Sequence, residues 1–283
     1  MIAIFTTPAK GRCILNKTML SKEILEYAQR TDLTEGLLPQ HAPEVIVFEN
    51  PEAIDEYASS QVIDLVRRKP DAVLTLPTGN TPIGMYETLV ASYRQGEVDF
   101  SDVTAFNLDE YYPIGQSHPN SYAAYMRNNL ISKINIGKWH IPNGEATSVF
   151  DEVIRYQTLL DATQPIDLAI VGLGPGTTCH LGFNERGSLI DSRVRYVTLD
   201  PQTTEVNRTL FTDPGEIPNG ALTQGIADIL QAERVLLIAK GEAKAWGINR
   251  TLKGPVSPSA PSSFLRLHPK VTFALDSAAA SYI

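Results

Sequence analysis

Four short stretches of this chain hold residues whose types and spacing could do chemistry. In "HLGFNER" (His180–Arg186) an imidazole, His180, precedes a carboxylate, Glu185, beside the glycine-rich "GLGPG" (Gly172–Gly176). An imidazole titrates near neutral pH and can move a proton either way, which suits general acid–base work. "FNLDEYYP" (Phe106–Pro113) sets Asp109 and Glu110 in a loop just past an apolar run, where a carboxylate can act as a base. "LPTGNTP" (Leu76–Pro82) reads as a strand end, a small polar turn of Gly79, Asn80 and Thr81, and a helix beginning at Thr81-Pro82. The unpaired N–H groups and partial positive charge of such a helix start suit a phosphate. No Gly-Lys-Ser/Thr follows, so this is not a P-loop. "KGEAKAWG" (Lys240–Gly247) puts Lys244 in the first turn of a helix, where a cation opposes the dipole unless an anion lies between them. Arg208, in "EVNRTLF", is a further cation. Each feature also has a plain structural reading: a capped turn without a ligand, a solvated strand-end acid, a core histidine. Cys179 adjoins His180, but adjacent side chains point apart and no further residue orients a thiol nucleophile.

The elements that must hold these residues follow from hydrophobic periodicity. "EVIVF" (Glu44–Phe48), "AVLTL" (Ala72–Leu76), "VTAFNL" (Val103–Leu108), "IDLAIVGLG" (Ile166–Gly174), "RVLLIAKG" (Arg234–Gly241) and "VTFAL" (Val271–Leu275) read as buried strands. Between them, Ile54, Ala58, Val62 and Leu65 recur at helical spacing after Asn50-Pro51, a cap and first-turn pair. Ile83, Tyr86, Leu89, Val90 and Tyr93 form a second helical face, and Tyr122–Leu130, Asp151–Leu160 and Glu242 to about Leu252 are helical too. Doubly buried strands alternating with amphipathic helices predict an α/β three-layer sandwich with a mainly parallel sheet and helices on both faces. Ligands then lie at the carboxyl ends of the strands, in the loops after Leu76, Leu108, Gly174 and Lys240. Residues 1–43 fit the alternation poorly and read as an N-terminal extension, with one helical piece at Ser21–Ala28, packing on the domain or on a partner subunit; residues 44–283 form the α/β domain. "PVSPSAPSS" (Pro255–Ser263) is a loop.

Composition narrows the possibilities. A formal charge of -8 without basic runs argues against a nucleic-acid partner. No segment approaches the roughly 20 apolar residues of a membrane span, and the opening lacks a signal pattern, so a cytoplasmic protein without a membrane partner is expected. Cys13 and Cys179 have no metal-ligand or redox spacing and are expected to be free thiols.

Taken in order, the motifs from about Val45 to the C-terminus resemble the glucosamine-6-phosphate deaminase family, in the group that also contains the 6-phosphogluconolactonases. "LPTGNTPIGMYETL" resembles its phosphate turn, "VTAFNLDEYYPIGQSHPNSY" its catalytic-aspartate segment, and "IDLAIVGLG" with "HLGFNERGS" its ring-opening segment. The resemblance implies a Rossmann-like α/β sandwich. It also implies the conversion of glucosamine 6-phosphate and water to fructose 6-phosphate and ammonia, hydrolytic in net outcome, without metal or nucleotide cofactor. Asp109 would be the base working between C2 and C1, His180 the ring-opening acid and Glu185 its carboxylate partner. Gly79, Asn80, Thr81, Arg208 and Lys244 would hold the phosphate, with Gly172 a backbone contact to the sugar. Family members often close a lid, for which Ser192 to Pro218 is the counterpart, and a homo-oligomer is a possible assembly.

The sequence departs from the family pattern Gly-x-Gly-x-Asp-Gly-His. "GLGPGTTCH" carries an apparent Pro175-Gly176 insertion and has Thr178 and Cys179 where aspartate and glycine are expected. A protonated His180 then lacks one charged partner. Slower ring opening or a different phosphosugar is the corresponding expectation. A phosphosugar lactonase and a non-catalytic sugar-phosphate sensor are the alternatives, the lactonase disfavoured by "FNE".

Overall fold

In a computed structural model, the described part of the chain comprises residue 39 and residues 41–174, 177–208, 211 and 216–283. The expected helix at 21–28, Cys13, most of the N-terminal extension, the 175–176 insertion and part of the 192–218 segment lie outside the described residues.

Seven strands form one sheet, β1 (Glu44–Phe48), β2 (Val73–Leu76), β3 (Thr104–Asn107), β5 (Lys138–His140), β6 (Leu168–Gly172), β9 (Val235–Ala239) and β10 (Val271–Asp276), in the order β1-β10-β9-β6-β2-β3-β5. Every pairing in it is parallel. The central strands β6 and β9 are apolar because both faces are covered, whereas the edge strand β5 is Lys-Trp-His with Lys138 exposed. In β9, Leu236 and Ile238 face one cluster, with α1 (Pro51–Arg68), α2 (Ile83–Arg94) and α3 (Tyr122–Asn129). Val235, Leu237 and Ala239 face the other, with α4 (Val149–Thr163), α6 (Ile226–Leu230) and α7 (Ala245–Lys253). The predicted α/β architecture with helices on both faces is therefore the one observed.

Local signals set the helix ends. Asn50 accepts a hydrogen bond from the Ala53 N–H with Pro51 in the first turn, and Ser121 and Ser148 cap α3 and α4 in the same way. The helix expected from Thr81 begins instead at Ile83, with Pro82 at the cap and no capping side chain. Among the described helices, none is long and apolar enough to cross a membrane.

A second, three-stranded sheet, β4-β8-β7, corrects the reading of Asp109 and Glu110 as loop residues. They open β4 (Asp109–Tyr112), which pairs antiparallel with β8 (Gly220–Thr223), itself paired with β7 (Arg195–Thr198). Tyr111, Phe183, Phe211 and Ala221 pack beneath this sheet as a third, smaller core.

Leu237, fully buried in β9 between β6 and β10, tests the packing. Leu237→Ala is expected to lower stability by about 2–5 kcal/mol, read as a lower urea midpoint with unchanged denaturant slope.

Candidate active site

The direction of the chain reverses in the middle of the main sheet. From β2 the order proceeds through β3 to β5, whereas from β6 it proceeds the other way to β9 and β10, so neighbouring β2 and β6 carry continuations leaving in opposite directions. The crevice at their carboxyl ends is where ligands bind in open parallel sheets. Most of the predicted residues lie at or beside it.

After β2, Gly79 adopts φ of 88°, which favours glycine, and a Cβ there would meet nothing within 4 Å. The turn is fixed from behind: the Tyr125 hydroxyl donates to the Gly79 carbonyl at 2.6 Å and the buried Tyr86 hydroxyl to the Pro77 carbonyl at 2.5 Å. Asn80 is exposed and Thr81 half-buried, just ahead of the uncapped first turn of α2. After β6, open space likewise faces the α-carbon of Gly172.

Lys244 reaches the same strand end from the opposite side. It caps α7 from a short 3-10 turn, Glu242–Lys244, and its Nζ donates to the Leu173 carbonyl at 2.7 Å. Burial lowers its pKa to about 8.

His180 folds back over this strand end, with its backbone carbonyl accepting from the Gly174 N–H at 2.9 Å. A Cβ on Gly174 would lie 2.1 Å from the imidazole Cδ2, so the ring needs glycine there. Nδ1 lies 3.0 Å from Glu185 Oε2. Burial would raise the Glu185 pKa, but its hydrogen bond and charge interaction with His180 bring the net value below the ordinary one. Sequence reasoning missed Thr203: on α5 (Pro201–Arg208), it is buried, with its hydroxyl 3.4 Å from the same Nδ1. A threonine in an amphipathic helix carries no signal distinguishing it from a packing residue.

Asp109 joins this group through Gly182, two residues beyond His180. A Cβ on Gly182 would sit 3.0 Å from Asp109 Oδ2 and equally from Thr223 Oγ1. Asp109 is 5% exposed, and burial, reinforced by the Glu110 charge, raises its pKa well above the carboxylate range. Glu110 is wholly buried. It accepts from the Tyr111 and Tyr122 N–H groups on Oε1 and from Ala123 on Oε2, tying β4 to the start of α3. Burial still lifts Glu110 to about 7. Its adjacency to Asp109 and the helix start at Ser121 were legible, but the bond between them was not.

The structure thus gathers Gly172, His180, Glu185 and Lys244 around the end of β6, connects Asp109 to them, and sets the 79–81 turn on the neighbouring strand. Arg208 stands apart: it ends α5, its side chain is 58% exposed, and its described ion pair is with Glu205 at 3.1 Å. Cys179 is a buried free thiol whose pKa burial raises, which disfavours it as a nucleophile. Two clefts of about 350 and 570 Å³ lie at the amino ends of the strands, lined among others by Arg234 and Lys270 and by Arg67 and Asp99, away from all these residues. The His180–Glu185 pair and the buried Asp109 carboxyl are at the other end.

The model of the family "Glucosamine-6-phosphate isomerases/6-phosphogluconolactonase" matches residues 50–273. The chain belongs to this family. A glucosamine-6-phosphate deaminase of Rhodopirellula baltica is 42% identical over 85% of this chain and 96% of its own length. A deaminase of the same name from Halothermothrix orenii is 41% identical over 84% of this chain and 99% of its own. Among solved structures, a monomeric glucosamine-6-phosphate deaminase superposes with a TM-score of 0.82 at 36% identity, covering 85% of this chain and 100% of that one. The 6-phosphogluconolactonase of Trypanosoma brucei shares the fold, with a TM-score of 0.68 at 18% identity over 85% of this chain and 98% of its own.

The burial of Asp109 makes a prediction independent of substrate. Its folded-state pKa is raised, so the folded protein holds this proton more tightly and loses stability as pH rises from the ordinary aspartate value, about 3.9, to the folded-state value. Asparagine cannot ionise. The Tm advantage of Asp109→Asn over the wild type is therefore expected to be larger at pH 8 than at pH 4; equal differences at both would show a solvated carboxyl.

Proposed function

We propose that this protein is an isomerising deaminase that converts glucosamine 6-phosphate and water to fructose 6-phosphate and ammonia. The observation that carries the reading is the buried Asp109 carboxyl beside the loop that holds the His180–Glu185 pair. The relatives named as deaminases, matched over 84–85% of the chain at about 40% identity, support it.

In the proposed sequence the phosphate binds between the N–H groups of the 79–81 turn and the Lys244 ammonium, with Gly172 lining the floor. Protonated His180, steadied by Glu185, gives its proton to the ring oxygen as the bond from C1 to that oxygen breaks, and the neutral imidazole takes up the C1 hydroxyl proton, leaving the aldehyde. Asp109 then removes the proton from C2, and the electron pair moves toward O1, which takes its proton back from His180 to give an enolamine. Return of a proton to C1 yields the 2-imino sugar. Water adds to its C=N bond and ammonia leaves, giving the ketose. Desolvation makes Asp109 a stronger base than a solvated carboxylate, and fixed geometry supplies much of the rate. The Thr203 hydroxyl and Glu185 together offer Nδ1 the partners that Thr178 cannot provide as charge. Arg208 joins the phosphate when α5 moves inward, breaking its exposed pair with Glu205.

The lactonase alternative rests on the joint family model and on likeness of fold at 17–20% identity. A sensor without catalysis would leave the buried base and imidazole pair without a role.

Ammonia release tests the reading. Asp109→Asn is expected to lower kcat by about 10²–10⁴ while phosphosugar binding persists; undiminished turnover would remove Asp109 from the reaction.

The pH profile tests the phosphate site separately. Lys244 loses its proton above about 8, so kcat/KM is expected to fall on the alkaline side from that pH, while the limb in kcat lies higher because bound phosphate retains the proton. Lys244→Arg keeps its charge and moves the kcat/KM limb upward, at a cost of about tenfold in affinity at neutral pH from the altered fit. An unmoved limb would exclude Lys244 as its source.

A further inference from the structure

The two halves of the phosphate site come from loops that are not neighbours. The 79–81 turn follows β2 and Lys244 follows β9, and β6 lies between those strands. Their spacing must be set by something other than adjacent hydrogen-bonded strands.

Lys240, the residue after β9, continues the alternation of Leu236 and Ile238 toward the face covered by α1 and α2. There its Nζ lies 2.5 Å from Oδ1 of Asp55, on the second turn of α1, with the two side chains only 16% and 14% exposed. The other Asp55 oxygen lies against the first turn of α2. A Cβ on Gly84 would come within 2.2 Å of Oδ2 and 2.6 Å of Cγ, so the carboxylate occupies the space that any side chain at 84 would fill. On the far side of Lys240, the Gly241 N–H donates to both oxygens of Asp276, at 3.1 and 2.9 Å, and the Lys244 N–H donates to the Gly241 carbonyl at 3.0 Å. A continuous path of contacts therefore runs from the start of α2 through Asp55 and Lys240 to the turn bearing Lys244.

We infer that the buried Lys240–Asp55 pair, seated against Gly84, is a positioning device that fixes the distance between the helix-start amides of α2 and the Lys244 ammonium, and so sets the affinity for the phosphate group. The inference rests on the phosphosugar reading above and adds residues that do not themselves touch the sugar. Buried ion pairs are weak contributors to stability compared with apolar packing, and fixing a geometry is one use for them.

The sign of the effect separates positioning from simple electrostatics. Asp55 is a negative charge near an anion site, so charge alone predicts that Asp55→Asn tightens phosphate binding. Positioning predicts that it weakens binding, and that Gly84→Ala, which changes no charge but displaces the carboxylate, does the same. The experiment titrates inorganic phosphate into the full-length wild type, D55N, G84A and K240M by calorimetry, with circular dichroism and Tm to confirm folding, and measures KM and kcat for glucosamine 6-phosphate. The phosphate Kd and the sugar KM are expected to rise about tenfold in D55N, G84A and K240M alike, with kcat at saturation changing less than KM. Tighter binding by D55N, or an unchanged Kd in folded G84A, overturns the inference. If a single charged variant does not fold, the uncharged D55N/K240M pair gives the same reading. A wild type that releases ammonia and binds phosphate while the folded variants match it sinks this inference alone; a wild type that binds no phosphate sinks the phosphosugar reading with it.

Discussion

Two neighbouring parallel strands whose chain continuations part in opposite directions govern where the proposed anion site lies. Between β2 and β6 no crossover helix closes the carboxyl edge, so the sheet opens into a crevice lined by main-chain ends. α2 begins beside it without a capping side chain, and a lysine arrives from the turn after β9. The proposed catalytic groups come from β4 and from the loop after β6, where Gly182 lies against Asp109 and Thr223 of β8. Removing the divergence would remove the site even if every side chain were kept.

Desolvation is the dominant electrostatic force in that crevice. Glu110 accepts three backbone N–H bonds, each of which favours its charged form, yet its pKa stands at about 7. Burial here outweighs three hydrogen bonds. At Asp109, one residue earlier, burial acts in the same direction and the Glu110 charge adds to it. Lys244 is driven in the other direction, toward losing its proton. Burial thus favours the proton on Asp109 and its loss from Lys244, and a bound phosphate would favour the charged lysine.

Much of this arrangement was legible in the sequence, and the remainder failed for identifiable reasons. Six of the seven parallel strands announced themselves as apolar runs, β5 with its Lys-Trp-His sequence did not, and the loops after the six contained His180, Glu185, Lys244 and the 79–81 turn. Asp109 was placed beside the correct strand but in a loop, because β4 is four residues long and its strand character comes from pairing with β8, far along the chain. The same holds for β7, whose alternation of half-buried and exposed residues was read as part of a lid. Thr203, the Glu110 bonds to α3 and the Lys240–Asp55 pair depend on tertiary proximity between helices and strand ends. Residue type alone gives such contacts no pattern, since a lysine after a strand and an aspartate on a helix look like ordinary surface charges until the chain brings them together.

The edited loop before His180 shows how such a site tolerates change. Cys179 adopts φ of 51°, a left-handed conformation, at the place where the resemblance expects glycine. That conformation costs an L-residue about 1–2 kcal/mol, while the Cys179 side chain is wholly buried with Sγ beside the Gly247 carbonyl, an apolar burial of comparable size, on the order of 1–2 kcal/mol. The two terms nearly cancel, so the backbone path that presents His180 over Gly174 survives without its glycine. Charge is a different matter. Thr178 is neutral, so the carboxylate held 3.0 Å from the imidazole, Glu185, carries the electrostatic support of a protonated His180, with the Thr203 hydroxyl adding a neutral contact. Packing compensates for the left-handed cysteine in this loop, whereas the charged support of His180 falls on a single carboxylate, Glu185.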